Sequence, residues 1–350
     1  MGWFLWVFLA GTLPSQAAVS LQDFVNDLMR NRRGSVLVAD PRTGLLLASW
    51  NSRQAFASAW PPGSTAKLFT AAAALEEGLI SPSEETWCRR VPELLGEAYH
   101  CSHPAPEEPF TLASALANSC NYFFTRLSLR LRPTQLEHWF EAFGLGSPPG
   151  RVLIGMDDAG KARAALGEGG VTVSSAQLLM AYSAFANRGT AYRLSRRKPG
   201  VDRAAAGRAA PSDPAFAVRL RSETLKVLSA GLEGCVQFGT CGAAAVEGVR
   251  IAGKTGTATA LDGSGVTHAW FAGYAPVDQP EIVLVVFLER GTGQHDAAPL
   301  AGKIFKFCFA RVPLGLRPTQ GSENPNARRP PESGDPGRWI PAFAGMKRRE

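Results

Sequence analysis

A serine and a lysine three residues apart, Ser64 and Lys67, follow a rigid Pro-Pro-Gly at the start of an Ala- and Leu-rich segment. On a helix, residues three apart lie on a common face, so the hydroxyl and the amine are neighbours. A serine hydroxyl is a poor nucleophile until a base takes its proton, and a lysine is such a base only when neutral. The pair therefore predicts an activated serine nucleophile.

A catalytic lysine needs surroundings that disfavour its charge. Lowering its pKa from about 10.4 to about 7.5 destabilises the ammonium by roughly 4 kcal/mol, which desolvation and a second cation can supply. The unpaired N–H groups of a helix start also support a developing oxyanion. A Ser-x-x-Lys is nevertheless expected about once by chance in a chain of this length, and alone it also fits a surface helix.

A second polar motif lies in LANSCNYFF, between two apolar helical segments. There Ser119 and Asn121 would stand in a loop that displays a hydroxyl and an amide. The same residue types are favoured at helix starts, so a helix cap is the alternative interpretation.

A third motif, Lys254-Thr255-Gly256-Thr257, lies in the predicted strand IAGKTGTATA. Gly256 weakens strand pairing and indicates close approach by another backbone or a ligand. A strand with solvent-facing polar residues is the alternative. Side chains alternate along a strand, so Lys254 and the two threonines can serve one site only if this strand borders the cleft.

The elements that must position these motifs follow an α+β plan. GSVLVADPRTGLLLASWN predicts a hairpin, and VRIAGKTGTATA, VTHAWFAGYAP and EIVLVVFLER predict three late strands. Helical periodicity dominates between the two groups. We therefore expect a five-stranded antiparallel sheet flanked by helices, with a mostly helical subdomain between strands 2 and 3 and the first hairpin beside the last strands.

The chain has 350 residues, of which 45% are hydrophobic and 19% charged, enough for one sizeable core. Residues 1–18 are typical of a cleaved signal peptide; a retained anchor or a short buried helix is the alternative. Residues 19–312 would form one domain, and the Pro-, Gly- and Arg-rich residues 313–350 a disordered tail. The protein would be exported to the periplasm or another extracytoplasmic space.

The net charge is +7, with a basic stretch at residues 193–221. Such a stretch can favour nucleic acid, anionic lipid or an anionic polymer. Because it lacks interleaved aromatic residues and a nucleic-acid fold pattern, we interpret it as a solvated loop and expect no nucleic-acid partner.

Six cysteines fit an oxidising compartment. The spacing of Cys88 with Cys101, and of Cys235 with Cys241, suits two small disulfide loops. The remaining two, Cys120 and Cys308, are expected to be small buried hydrophobes.

A zinc site is the other interpretation of these residue types. Cys88, Cys101 and His103 are suitable ligands, but no C-x-x-C or paired-histidine spacing supports them. We therefore expect neither a metal nor a cofactor.

In this order and these contexts, the three motifs resemble those of the penicillin-recognising serine acyl-transferases, which include penicillin-binding proteins and serine β-lactamases. The resemblance to the transpeptidase domain of large penicillin-binding proteins covers about residues 30–311. It extends to DPRTGLLLASWN, WPPGSTAKLFT, GEGGVTVSSAQLLMAYSAFANRGT and HAWFAGYAP. Without the additional N-terminal domain of those proteins, the chain is expected to be a stand-alone transpeptidase domain.

The resemblance implies a role for each polar residue. Ser64 would attack a D-Ala-D-Ala stem peptide of peptidoglycan while Lys67 takes its proton. Ser119 would relay a proton to the leaving amine, and Asn121 would bind the acyl side amide. Lys254 would be the cation that keeps Lys67 neutral.

The remaining residues of the third motif would bind substrate. Thr255, Gly256 and Thr257 would line the cleft, with the two hydroxyls on the terminal carboxylate. The backbone N–H groups of Ser64 and Thr257 would form the oxyanion hole.

The second chemical step decides between activities that the sequence leaves open. Attack by an amine of a second stem peptide gives a D,D-transpeptidase, and attack by water gives a D,D-carboxypeptidase or a β-lactamase. The chain lacks an E-x-x-L-N element, and Ser119-Cys120-Asn121 departs from the S-x-V of class D β-lactamases, so slow hydrolysis of β-lactam inhibitors is predicted. A non-catalytic module that senses β-lactams or binds cell wall is the third hypothesis; partners in cell-wall synthesis remain unassigned.

Overall fold

The central element is a six-stranded sheet in the order β6-β2-β1-β10-β9-β8. The computed structural model describes residues 19–196 and 213–309, so the expected leader, the tail and most of the basic stretch lie outside it. The strands are β1 (Gly34–Asp40), β2 (Leu45–Trp50), β3 (Arg151–Val152), β4 (Val171–Thr172), β5 (Thr190–Tyr192), β6 (Ser195–Arg196), β7 (Pro214–Ala217), β8 (Ala252–Thr259), β9 (Thr267–Ala275) and β10 (Ile282–Leu288).

Helices cover both faces of this sheet, as the α+β prediction requires. The helices are α1 (Leu21–Met29), α2 (Ser52–Ala57), α3 (Lys67–Glu76), α4 (Leu112–Ala117), α5 (Asn121–Ser128), α6 (Pro133–Ala142), α7 (Asp158–Ala165), α8 (Ser175–Ala186), α9 (Ser222–Gln237) and α10 (Ala298–Phe309). A 3-10 turn, Gly63–Ala66, leads directly into α3. Helices α2 to α9 lie between β2 and β8 in the chain, which confirms the predicted helical insertion.

The five long strands are antiparallel, and β1 pairs with both β2 and β10, so the first hairpin lies beside the last strands as predicted. The strand count of five is wrong, because β6 pairs in parallel with β2. This strand has only two residues near the start of the basic stretch, too few for a detectable alternation of side chains. The short pairs β3–β4 and β5–β7 escaped prediction for the same reason.

The sheet separates two hydrophobic cores. Along β10, Val283 and Val285 face the core beneath α3 and α8, whereas Leu284 and Val286 face the core beneath α1 and α10. Because both faces are covered, this strand is continuously apolar instead of alternating with polar residues.

Strand β8 lies at one edge of the sheet and packs against the turn that precedes α3. A Cβ on Gly256 would lie only 2.5 Å from the carbonyl oxygen of Pro62, so only glycine fits there without a shift. Gly63 has φ of 53°, and a Cβ there would lie 2.5 Å from the carbonyl oxygen of Thr257. The close approach predicted at Gly256 is therefore to another backbone.

The cysteines depart from the predicted pairing. Cys235 and Cys241 lie at disulfide distance, 2.13 Å between sulfurs, in agreement with the prediction. The predicted Cys88–Cys101 disulfide is wrong, because these sulfurs are 3.7 Å apart. Cys120 is buried, as predicted, but it is more than a small hydrophobic side chain, because its sulfur lies 3.3 Å from that of Cys88.

None of the helices in the described ranges is long and apolar enough to cross a membrane.

The contact between β8 and the turn gives a prediction about stability. Gly256→Ala would drive a methyl group against Pro62 and Thr65 and is expected to lower the free energy of unfolding by about 2 kcal/mol in urea denaturation. Gly242→Ala is the control, since a Cβ at Gly242 has no neighbour within 4 Å. Equal stability of the two variants would contradict this account of the packing.

Candidate active site

Ser64 is the accessible residue of a buried segment. Every residue from 61 to 75 is buried except Ser64, which is partly exposed. Its turn, Gly63–Ala66, continues into α3, where Lys67 is the first helical residue. The serine hydroxyl can therefore be reached from solvent while the lysine beside it cannot.

Two buried side chains hold this turn in place. Trp270 donates from Nε1 to the carbonyl oxygen of Pro61 at 2.9 Å, and the hydroxyl of Tyr182 donates to the carbonyl oxygen of Thr65 at 3.1 Å. Both donors come from distant elements, β9 and α8, so the core fixes the position of Ser64.

Lys67 joins the first motif to the second. Its Nζ donates to the carbonyl oxygen of Ser119 at 2.7 Å, to Ser119 Oγ at 3.2 Å and to Asn121 Oδ1 at 2.5 Å. None of its hydrogen bonds within the described ranges goes to Ser64 Oγ. The structure therefore brings Lys67, Ser119 and Asn121 into one network, three residues along the chain from Ser64.

Burial is the main cause of the lowered pKa of Lys67. The side chain is fully buried, which lowers its pKa from 10.5 to about 8, while charges at Cys120, Cys101 and Glu168 act in the opposite direction. Desolvation, one of the two causes that the sequence predicted for this lysine, is therefore the leading one.

Lys254 is the second fully buried lysine. Burial first, and repulsion from Lys67 second, hold the pKa of Lys254 well below its usual value. Repulsion between the two ammonium groups disfavours the state in which both are charged. The charge of Lys67 thus lowers the pKa of Lys254 in addition to burial, whereas the predicted effect of Lys254 on Lys67 is not among the main causes of the lowered pKa of Lys67.

The second motif lies where α4 ends and α5 begins. Ser119 has φ of 56°, a left-handed conformation that is uncommon outside glycine and lets the chain turn sharply between the helices. The cap of α5 is Cys120, whose sulfur accepts the N–H of Phe123 at 3.4 Å. Ser119 and Asn121 are therefore left available to Lys67.

The third motif borders the same turn. Thr257 is exposed at the edge of the sheet, and its Oγ1 accepts the N–H of Gly293 at 2.9 Å. Thr255 is buried and shares a 2.8 Å hydrogen bond with Thr240. Because β8 is an edge strand, the structure meets the geometric requirement for Lys254 and the threonines to serve one cleft.

Glu168 is a candidate residue that the sequence analysis missed. Burial raises the pKa of its carboxyl to about 7, opposed by a hydrogen bond to the backbone of Thr259 and by the charge of Lys67. Nothing in the sequence indicated this role, because a lone acidic residue between glycines, as in the segment GEGG, suggests an exposed loop.

Comparisons with known proteins agree with this arrangement. A family model described as the penicillin binding protein transpeptidase domain matches residues 34–306. Stage V sporulation protein D of Bacillus subtilis is 32% identical over 283 residues, which cover 75% of this chain and 43% of that protein. Peptidoglycan D,D-transpeptidase PbpA of Mycolicibacterium smegmatis is 27% identical over 351 residues, covering 83% of this chain and 71% of that protein.

A solved structure has the same fold over most of its length. The transpeptidase domain of penicillin-binding protein 3 from Burkholderia pseudomallei superposes with a TM-score of 0.66 at 25% identity, over 81% of this chain and 88% of that one. The family model spans most of the described residues, including all three motifs. This chain belongs to the penicillin-binding protein transpeptidase family.

Proposed function

We propose that this protein is a serine-type peptidoglycan D,D-transpeptidase that forms an acyl-enzyme at Ser64. The observation that carries the proposal is the buried amine of Lys67, which is held by Ser119 and Asn121 and follows by three residues Ser64, the one accessible residue of its segment. A surface helix with an exposed lysine would show neither the burial nor the network.

In the first step, Ser64 Oγ attacks the carbonyl carbon of the penultimate D-alanine as its proton passes to neutral Lys67. The carbonyl oxygen becomes an oxyanion between the backbone N–H groups of Ser64 and Thr257, each of which contributes about 3 kcal/mol to the transition state. The peptide C–N bond then breaks, and the proton returns through Ser119 to the nitrogen of the leaving D-alanine. The product is an ester at Ser64.

In the second step, an amine of a neighbouring stem peptide attacks this ester and restores the Ser64 hydroxyl. A new peptide bond forms, which is the cross-link. Water in place of the amine would give D,D-carboxypeptidase activity.

The other motif residues bind substrate. Asn121 binds the acyl side amide, and Thr257 presents its exposed hydroxyl to the terminal carboxylate. Thr255 lies on the same face of β8, and Gly256 allows β8 to approach the Ser64 turn. Lys254 contributes positive potential when protonated.

The substrate also implies a location. Stem peptides are joined outside the cytoplasmic membrane, so we propose that residues 1–18 direct export and that residues 19–312 form the exported domain. Residues 1–18, the expected tail and the last residues of the expected domain lie outside the described residues.

Labelled penicillin tests the nucleophile. Wild-type protein is expected to take up one label per chain and to release it slowly, whereas Ser64→Ala takes up none, because the ester oxygen is missing. Ser83→Ala, a change at an exposed serine, is the matched control and should label normally. Labelling of Ser64→Ala would contradict the proposal, and rapid release from wild type would instead support a β-lactamase.

The pKa of Lys67 sets the pH dependence of this acylation. Only the neutral amine accepts the proton, so the rate is expected to rise about tenfold per pH unit below about 8 and to level off above it. Glu168→Gln removes a negative charge that raises the pKa of Lys67 and should move the midpoint to lower pH. A midpoint near the ordinary lysine value of about 10.4 would show that burial does not control this amine.

Turnover distinguishes an enzyme from a sensor. With a D-Ala-D-Ala peptide and a D-amino acid as acceptor, mass spectrometry is expected to show exchange of the terminal residue, which requires both steps. Asn121→Ala should slow exchange about tenfold or more, since it removes a contact to both Lys67 and the substrate. Penicillin labelling without exchange or hydrolysis would support a non-catalytic module.

A further inference from the structure

Three cysteines and a histidine converge behind the second catalytic motif. The ligand atoms of Cys88, Cys101, His103 and Cys120 all lie within 4.8 Å of one another. The sequence offers only three of these residues within one loop, at spacings that disfavoured a zinc site. The fold supplies the fourth, Cys120, from the start of α5.

The distances inside the cluster fit a tetrahedral zinc ion. Zinc bonds of about 2.3 Å to sulfur and about 2.05 Å to nitrogen place two sulfurs about 3.8 Å apart, and sulfur and nitrogen about 3.6 Å apart. The sulfur pairs are separated by 3.7, 3.8 and 3.3 Å, and Cys88 Sγ lies 3.6 Å from His103 Nε2. A disulfide would require about 2.05 Å.

The histidine is oriented as a ligand. His103 Nδ1 lies 2.6 Å from the carbonyl oxygen of Pro104, an acceptor that fixes the proton on Nδ1. Nε2, which faces the sulfurs, is then the nitrogen with the free lone pair. Such a hydrogen bond behind the ring is usual for metal-binding histidines.

Each of the three sulfurs also accepts one backbone N–H. The donors are Arg90 to Cys88 at 3.2 Å, Tyr122 to Cys101 at 3.4 Å and Phe123 to Cys120 at 3.4 Å. Two of these donors belong to the first turn of α5, where the helix dipole adds partial positive charge.

The cluster is closed to solvent. Cys101 and Cys120 are fully buried, His103 is 5% exposed and Cys88 is partly buried. Four protein ligands without an open position are typical of structural zinc sites and not of catalytic ones.

We propose that Cys88, Cys101, His103 and Cys120 bind one Zn²⁺ ion, which fastens their loop to the turn that carries Ser119 and Asn121. The same loop contacts Asn121 directly, because Asn121 Nδ2 donates to the carbonyl oxygen of Tyr99 at 3.0 Å. Asn121 Oδ1 in turn accepts from Lys67. The ion therefore positions the network of Lys67, Ser119 and Asn121 without touching substrate; this second part rests on the proposed function, and the binding of metal does not.

Metal content tests the site without reference to activity. Full-length protein purified under reducing conditions is expected to contain about one zinc ion per chain, measured by inductively coupled plasma mass spectrometry. Cys101→Ser should lose it, and Cys308→Ser, a cysteine outside the cluster, should keep it. Because Cys101→Ser could fail to fold, Co²⁺ is also added to chelator-treated wild type, where thiolate-to-cobalt absorption of a tetrahedral site is expected.

Wild type without zinc and without the cobalt spectrum would overturn the site, as would a Cys88–Cys101 disulfide in protein isolated from the exported fraction. Iron in place of zinc would overturn the assignment of the ion. For the positioning role, a chelator is expected to slow penicillin acylation at least tenfold, with recovery on adding Zn²⁺. Unchanged acylation by zinc-free protein would overturn that role while leaving the proposed function intact.

Discussion

The close packing of an edge strand against a helix-leading turn is the constraint on which the rest of the site depends. Strand β8 meets the turn before α3 so closely that a Cβ on either Gly256 or Gly63 would lie 2.5 Å from a carbonyl oxygen of the other element. These contacts bring the backbone of Thr257 beside that of Ser64. An oxyanion site made from two backbone N–H groups needs such fixed positions, because it acts without rearranging during the reaction.

Burial of two lysines is the second requirement, and it is energetically unfavourable. A fully buried ammonium is strongly disfavoured unless it is neutralised or hydrogen-bonded. Lys67 donates hydrogen bonds to three acceptors of the second motif, which offset this unfavourable burial. The network that satisfies the amine therefore also fixes Ser119 and Asn121. Stability and chemistry therefore depend on the same hydrogen bonds. The loop that carries Cys88 and Cys101 adds a further one, because the carbonyl oxygen of Tyr99 accepts from Asn121.

The sequence predicted the hairpin, the late strands and the helical insertion because their hydrophobic periods are long and clear. It also predicted that three short motifs meet at one site, and the structure joins Lys67 of the first motif to Ser119 and Asn121 of the second. It missed β6, which is too short to show a period, and it paired Cys88 with Cys101 because linear spacing cannot reveal a third sulfur brought in by α5. Desolvation of Lys67 was expected from the sequence, but the burial that produces it is a property of the packed core.

A crystal structure of the penicillin adduct would test the central claim most directly. The account predicts an ester at Ser64 Oγ, with the acyl oxygen about 3 Å from the backbone nitrogens of both Ser64 and Thr257 and with Lys67 Nζ still buried beside Ser119. An acyl oxygen that points away from β8, or an adduct on another residue, would contradict it.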